Sequence, residues 1–144
     1  DQDLTAELRS NLEGAIHLIA SFMPALREAA GARIVIVSSG YALAPATRAP
    51  VYSAAKAALH SLSKSLRRQF KPLGIGVTEV LPPLVDTPAV THRSGRKMRP
   101  EQVVAQTLAA VNRGRDSVYP GAVRSLVWLL RIWPALAERV VADT

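Results

Sequence analysis

Tyr52 and Lys56 stand four residues apart in VYSAAKAALH, and Ser39 lies thirteen residues ahead of the tyrosine, in a chain with only three tyrosines and four lysines. On a helix, positions i and i+4 share a face, so a phenol and an ammonium at this spacing point to the same side. A nearby cation favours phenolate over phenol and lowers a tyrosine pKa that is otherwise near ~10. A phenol tuned in this way can exchange a proton near neutral pH. A serine hydroxyl beside it can donate to a substrate oxygen and hold that oxygen in place. Together the three suit proton transfer to or from a carbonyl or alcohol oxygen. Taken singly they have plainer readings: Ser39 capping a strand end, Tyr52 covering a helix start, Lys56 pointing into solvent. The elements that carry them decide between the two.

Arg33-Ile34-Val35-Ile36-Val37-Ser38 is a continuous β-branched run, the pattern of a strand buried on both faces of a parallel sheet. Ser39 follows it directly. Pro45 and Pro50 bound a loop, and about Val51 to Lys71 then reads as a long helix, with Leu59, Leu62, Leu66 and Phe70 on one side and Ala54, Ala58, Ser61 and Ser65 on another. Pro72 and Gly74 end it, Ile75 to Leu81 reads as a second strand, and Pro82-Pro83 breaks that strand. Upstream, residues 3 to about 29 carry apolar side chains at helical spacing, including Leu8, Leu12, Ala15, Ile19 and Met23. Pro24 is expected to kink that helix or restart its last turn, and Gly31 to stop it. Asn11 sits beside the apolar stripe, where an unpaired buried amide would cost about 1–3 kcal/mol, so it needs a partner.

A third helix runs from Pro100 to about Asn112, Gly114 ends it, and Asp116 to Tyr119 can form a last short strand. The alternation of helix and strand predicts an α/β fold, a doubly wound parallel sheet with flanking helices. In such folds ligands bind outside the carboxyl ends of the strands, where Ser39, Tyr52 and Lys56 converge. The tail from about Gly121 to Ala142 is apolar around Val127, Trp128, Leu129, Leu130, Ile132, Trp133 and Leu136, and is broken at Pro134. It is expected to cover the sheet or a neighbouring subunit, and tryptophan beside arginine makes an interfacial helix on a membrane the second reading.

Length, charge and cysteine content narrow the classes. The 144 residues fit one domain able to bury a core. There is no cysteine, and His17, His60 and His92 are far apart, so no metal site is expected. The absence of thiols suits a reducing compartment, and no secretory signal or long apolar span is visible, so a cytoplasmic location is expected. The net charge of +7 makes anionic partners worth considering. Arg67, Arg68 and Lys71 close a helix, however, and Arg93, Arg96, Lys97 and Arg99 share a loop that reads as solvated. Aromatic residues do not interleave with either group, so no nucleic acid is expected as a partner.

With order and spacing on the page, the chain resembles the short-chain dehydrogenase/reductase family. The matching pieces are Asn11 in NLEGAIHL, Ser39 in IVIVSSG, Tyr52 and Lys56 in YSAAKAAL, and LPPLVDTP at 81–88. The resemblance implies hydride transfer with NAD or NADP between an alcohol and a carbonyl. It makes Tyr52 the acid/base, gives Lys56 the nicotinamide ribose and the tyrosine's pKa, and has Ser39 orient the substrate oxygen. Asn11 would hold a water in a proton relay. Pro82, Val85 and Thr87 would contact the nicotinamide end, although the family's usual Pro-Gly is here Pro82-Pro83. The resemblance also implies a homo-oligomer through the helices at 3–29 and 52–71. LPPLVDTP and SSGYALAP are similar, more narrowly, to a bacterial subgroup of oxidoreductases named for D-alanine esterification, a name that fixes no substrate.

The family opens on a strand and a glycine-rich turn that cradles the cofactor pyrophosphate, and this chain contains no such motif. Residues 1–144 therefore read as the carboxyl-terminal, catalytic part of one domain, a partial Rossmann-like sheet of family strands 5–7, expected to be inactive alone. One edge of IVIVS should lack its neighbour, an aggregation hazard that disfavours a solitary monomer. The other reading is a non-catalytic fragment serving association. Leu43, Ala44, Leu84 and Val85 lean toward a lipophilic small-molecule alcohol or carbonyl.

Overall fold

A computed structural model describes residues 4–143. The first helical stretch begins as α1 (Leu4–Leu8), passes through a π-helical turn (Arg9–Glu13) and continues as α2 (Gly14–Glu28). The expected start at residue 3 lies outside the described residues. Leu12, Ala15, Ile19, Met23 and Leu26 form the stripe that meets the core, as their spacing predicts. Pro24 does not break the helix, which runs on to Glu28. The lost N–H leaves one carbonyl on an exposed turn, where water can take its place. The irregularity lies instead at Arg9–Glu13, where the Gly14 N–H bonds to the Arg9 carbonyl, one residue further back than in an α-helix.

β1 (Arg33–Val37), α3 (Pro50–Phe70) and β2 (Gly76–Val80) follow. Pro50 suits the first turn of α3 because its missing N–H would have no helical partner there. At the other end Gly74 takes φ +72°, and the Ile75 N–H returns to the Phe70 carbonyl as the chain turns into β2. Then come α4 (Pro100–Asn112), β3 (Ser117–Val118), α5 (Val123–Ile132) and α6 (Pro134–Ala142).

The three strands are parallel, in the order β1-β2-β3, with Arg33 opposite Gly76 and Val37 opposite Val80, then Glu79 opposite Ser117. The helical stretch 4–28 and α3 cover one face. There Ile36, Val77 and Ile75 pack with Leu59, Leu66 and Phe70 of α3, each buried side chain contributing about 1.5–3 kcal/mol. The long bulky side of α3 is thus the buried one, while Ala54, Ser61 and Ser65 face out.

The expectation that β1 is buried on both faces holds for one face only. Ile36 is buried, whereas Val35 and Val37, pointing the other way, are 41% and 56% exposed. β1 is the edge strand, and no described element packs over that part of its second face. The tail divides. α5 seats Val123 against Gly40, and α6 buries Ala137 and Val141, while Trp128, Ile132, Trp133, Leu136 and Val140 turn outward, away from the sheet, which is the first of the two covers expected for them.

Candidate functional site

The end of β1, the start of α3 and the loop after β2 meet at one place. The Ser38 N–H bonds to the Val80 carbonyl (2.9 Å) and the Gly40 N–H to the Pro82 carbonyl (3.2 Å), which extends the strand pairing past the last residues of the sheet. Ser38, buried, donates its hydroxyl to the Lys56 carbonyl (3.2 Å), fixing α3 against the strand end. The intervening loop is pinned by Ser53, whose Oγ donates to Ala49 O (2.7 Å) and accepts from the Ala46 N–H (3.2 Å).

On this frame Ser39 is extended, with φ −160° and ψ 160°, and its Oγ accepts from the Tyr41 N–H (3.2 Å). Its hydroxyl is also the side-chain hydrogen-bonding neighbour of Tyr52. Lys56 Nζ lies 5.4 Å from the centre of the Tyr52 ring and donates to the Val37 carbonyl at 3.1 Å. Ser39, Tyr52 and Lys56 therefore come together as their spacing predicts. The lysine is a buried residue, not a solvated one.

The electrostatics differ from the expected ones. Burial raises the Tyr52 pKa above its ordinary value, and this desolvation outweighs the lowering by Ser39 and by the Arg93 guanidinium. Tyr41 and Glu7 add to the rise. Lys56 is not what tunes the phenol down. Its own pKa is lowered by burial, and its ammonium is turned to a backbone carbonyl. Tyr52 at neutral pH is therefore a protonated phenol.

Asn11 stands in the π-helical turn, and its amide donates to the Glu7 carbonyl (3.1 Å) and the Ser10 hydroxyl (3.3 Å). The partner demanded by its place on the stripe is thus local, and no bond joins Asn11 directly to Ser39, Tyr52 or Lys56 among the described residues. π-Helical turns inside α-helices recur at functional sites. Pro82 is held at the site by its carbonyl. Val85 pairs with Met98 in an isolated parallel bridge, flanked by Met98 N–H to Leu84 O (2.8 Å) and Asp86 N–H to Met98 O (2.9 Å). Thr87 is half-buried at the start of a short 3-10 turn, and its hydroxyl makes no capping bond there.

Three side chains emerge that the spacing argument does not select. Tyr41 packs edge-on to Tyr52, ring centres 6.3 Å apart, and Arg93 lies over Tyr41 at 5.8 Å. Arg93, read as part of a solvated loop, is half-buried and acts on Tyr52. The third is Glu79, wholly buried on β2, whose Oε2 accepts from Ser63 Oγ (3.0 Å) and His60 Nδ1 (2.8 Å). Its only sequence signal is a carboxylate in the middle of an apolar strand. Among the described residues no group of histidine, cysteine or carboxylate side chains could hold a metal ion.

The chain is similar to known proteins. The family model for short chain dehydrogenases matches residues 1–97. An uncharacterized oxidoreductase, DltE of Bacillus subtilis, is 46% identical over 81 residues, 56% of this chain and 32% of the relative. An uncharacterized oxidoreductase of Staphylococcus epidermidis is 32% identical over 78 residues, 54% of this chain and 34% of that protein. The matched segment thus spans about a third of these relatives' length. Among solved structures, a short chain dehydrogenase from Burkholderia cenocepacia in complex with NADP superposes with a TM-score of 0.90 at 28% identity, covering 99% of this chain and 60% of that one.

Proposed function

This chain belongs to the short chain dehydrogenase family, and on that premise we propose that it is the proton-transferring, carboxyl-terminal part of an NAD(P)-dependent oxidoreductase interconverting an alcohol and a carbonyl. One observation carries the reading: Tyr52 and Lys56 share a helix face at the end of a parallel strand, beside Ser39, with the phenol kept protonated by burial. Ser39 donates to the carbonyl oxygen and orients it. Tyr52 gives that oxygen its proton as the alcohol forms. Lys56, held by the Val37 carbonyl, keeps two further N–H donors for the site. Asn11 acts one step removed, through a relay water.

Bound NADH or NADPH would supply the hydride for reduction, and NAD or NADP would accept it in the reverse direction. Lys56, with N–H donors beyond the one given to the Val37 carbonyl, and Thr87, whose hydroxyl makes no capping bond, would hold the cofactor's nicotinamide end with Tyr52, Pro82 and Val85. No glycine-rich turn in this sequence matches its pyrophosphate. The 144-residue chain alone is accordingly inactive. The substrate is a small, lipophilic alcohol or carbonyl, and the location is cytoplasmic. Self-association runs through the helices at 3–29 and 52–71, a second reading favoured by Ile16, Leu18 and Phe22, which face outward from α2.

The test is a chimera in which residues 1–144 follow the nucleotide-binding segment of the Burkholderia relative. NADPH-dependent reduction of a lipophilic ketone, lowered about 10²–10⁴-fold by Tyr52→Phe, is the expected result. A chimera that folds and binds NADPH but turns over equally well without the Tyr52 hydroxyl overturns the assignment.

A further inference from the structure

The two helices after β3 carry an apolar surface that the proposed chemistry does not use, and it adjoins a basic groove between α4, β3 and the start of α5. α5 buries Val123 and half-buries Leu126, Val127 and Leu130. Its other side presents Arg124, Trp128, Arg131 and Ile132, which at spacings of four, seven and eight residues form one stripe. Trp128 and Ile132 are each 61% exposed, and Trp133 at the α5–α6 corner is 63% exposed. On α6 the pair Leu136 and Val140 continues the surface outward, while Ala137 and Val141 hold the helix down. The corner recess formed by Trp133, Pro134, Ala135 and Leu136 has an entirely apolar lining. Large apolar side chains at this exposure and in this continuity mark a docking surface.

Charge selects the occupant. At its amino-terminal end the stripe runs into a groove of about 270 Å³ where Arg113, Arg115 and Arg124 converge with Gln106 and no carboxylate. None of the three guanidiniums has a salt bridge or side-chain hydrogen bond among the described residues. Arg131 stacks on Trp128 at 5.9 Å, at the boundary between charge and apolar surface. From Gln102 to Ala137 the only acidic residue is Asp116, which pairs with Arg67 at 3.4 Å. Glu138 and Asp143 lie beyond, toward the end of α6. No helix of the described residues is long and apolar enough to cross a membrane, so any engagement with lipid is from the surface.

We infer that α5 and α6 dock this chain on an anionic lipid bilayer. Trp128, Ile132, Trp133 and Leu136 enter the headgroup–acyl boundary, and Arg113, Arg115 and Arg124 meet the lipid phosphates. Tryptophan suits that depth, with an apolar body and a polar N–H edge, and arginine binds phosphate through its fork of donors. A second copy would cover the apolar corner equally well but would leave three like charges facing one another without a counterion.

Trp128 and Trp133 are the only tryptophans, so intrinsic fluorescence reports on this surface alone. The 144-residue chain is titrated with phosphatidylcholine vesicles with and without phosphatidylglycerol, at low and high salt, and followed by fluorescence and flotation. The expected result is a blue shift and co-flotation with the anionic vesicles that high salt reverses. Substituting glutamine at Arg113, Arg115 and Arg124 together should weaken binding about a hundredfold, some fivefold per arginine. Ile132→Ser with Leu136→Ser should weaken it about tenfold or more. These positions are exposed, and circular dichroism checks that each variant keeps its fold. The inference is overturned by absence of binding to anionic vesicles, by equal binding to neutral ones, by arginine variants that bind unchanged, or by a concentration-dependent blue shift in the absence of lipid, which would mean self-association.

Discussion

α3 carries two polar clusters a little over one turn apart. At its first turns Tyr52 and Lys56 face the end of β1, and further along His60 and Ser63 face Glu79 on β2. The second cluster is gathered on one atom: Glu79 Oε2 takes both donors inside the core, while Oε1 is buried without a partner among the described residues. The first is left open, because the lysine's partner is a backbone carbonyl and the phenol is hydrogen bonded to a single serine. The comparison teaches that burying polar groups serves two ends on one helix. Where buried donors converge on one acceptor, as at Glu79 Oε2, the cluster locks packing. Where they do not, it keeps groups whose proton affinity the site has shifted.

The sharpest way to break this contrast is Glu79→Ala, which takes the acceptor from His60, leaves Ser63 only the His60 carbonyl, and opens a cavity. We expect a loss of about 3 kcal/mol in urea unfolding, from the unsatisfied donor and the lost packing. Tyr52→Phe should cost no more than about 1.5 kcal/mol in the same measurement, the value of one hydrogen bond. Equal losses would mean that both clusters are structural.

Ionisation sharpens it further. The folded pKa of Lys56 is lowered, so its contribution to stability is present above the unfolded value near ~10.5 and is lost as pH falls through the folded one. Lys56→Met should therefore flatten the rise of stability with pH in that alkaline window. Tyr52 has the opposite sign: raised in the fold, it contributes stability below about 10 that is lost as pH climbs through the folded value. Tyr52→Phe should remove that alkaline loss, and an unchanged unfolding midpoint across the window would refute both assignments. The smallest effect expected is that of Arg93→Gln, which should move the Tyr52 phenolate absorbance to higher pH by removing a cation that lowers it. A shift to lower pH would remove Arg93 from the site.

Much of the framework was legible from local signals. The ends of α4 at Pro100 and Asn112 follow from a proline start and Gly114 at φ +63°. The meeting of Ser39, Tyr52 and Lys56 follows from a strand end and an i, i+4 pair. Pro24 lies inside α2, which runs on to Glu28, because a proline on an exposed helical turn loses one bond that water replaces, whereas the π-helical turn around Asn11 has no composition signature. Glu79 was hidden because its partners lie sixteen and nineteen residues away on another element. Arg93 looked solvated for the same reason: the ring it covers, Tyr41, is over fifty residues away in sequence.

What residue type and spacing determined by themselves was the inventory: a phenol, an ammonium and a hydroxyl at one strand end, in a parallel α/β order. Only the tertiary structure decided how those groups behave. Desolvation depends on every atom around a group, so whether Tyr52 is raised or lowered could not follow from the nearness of one lysine. Exposure is decided the same way. The continuous β-branched run that reads as a doubly buried strand leaves Val35 and Val37 open, and the apolar tail that reads as a cover for the sheet or a neighbouring subunit turns its tryptophans away from the sheet, because burial requires a partner surface that no single segment specifies.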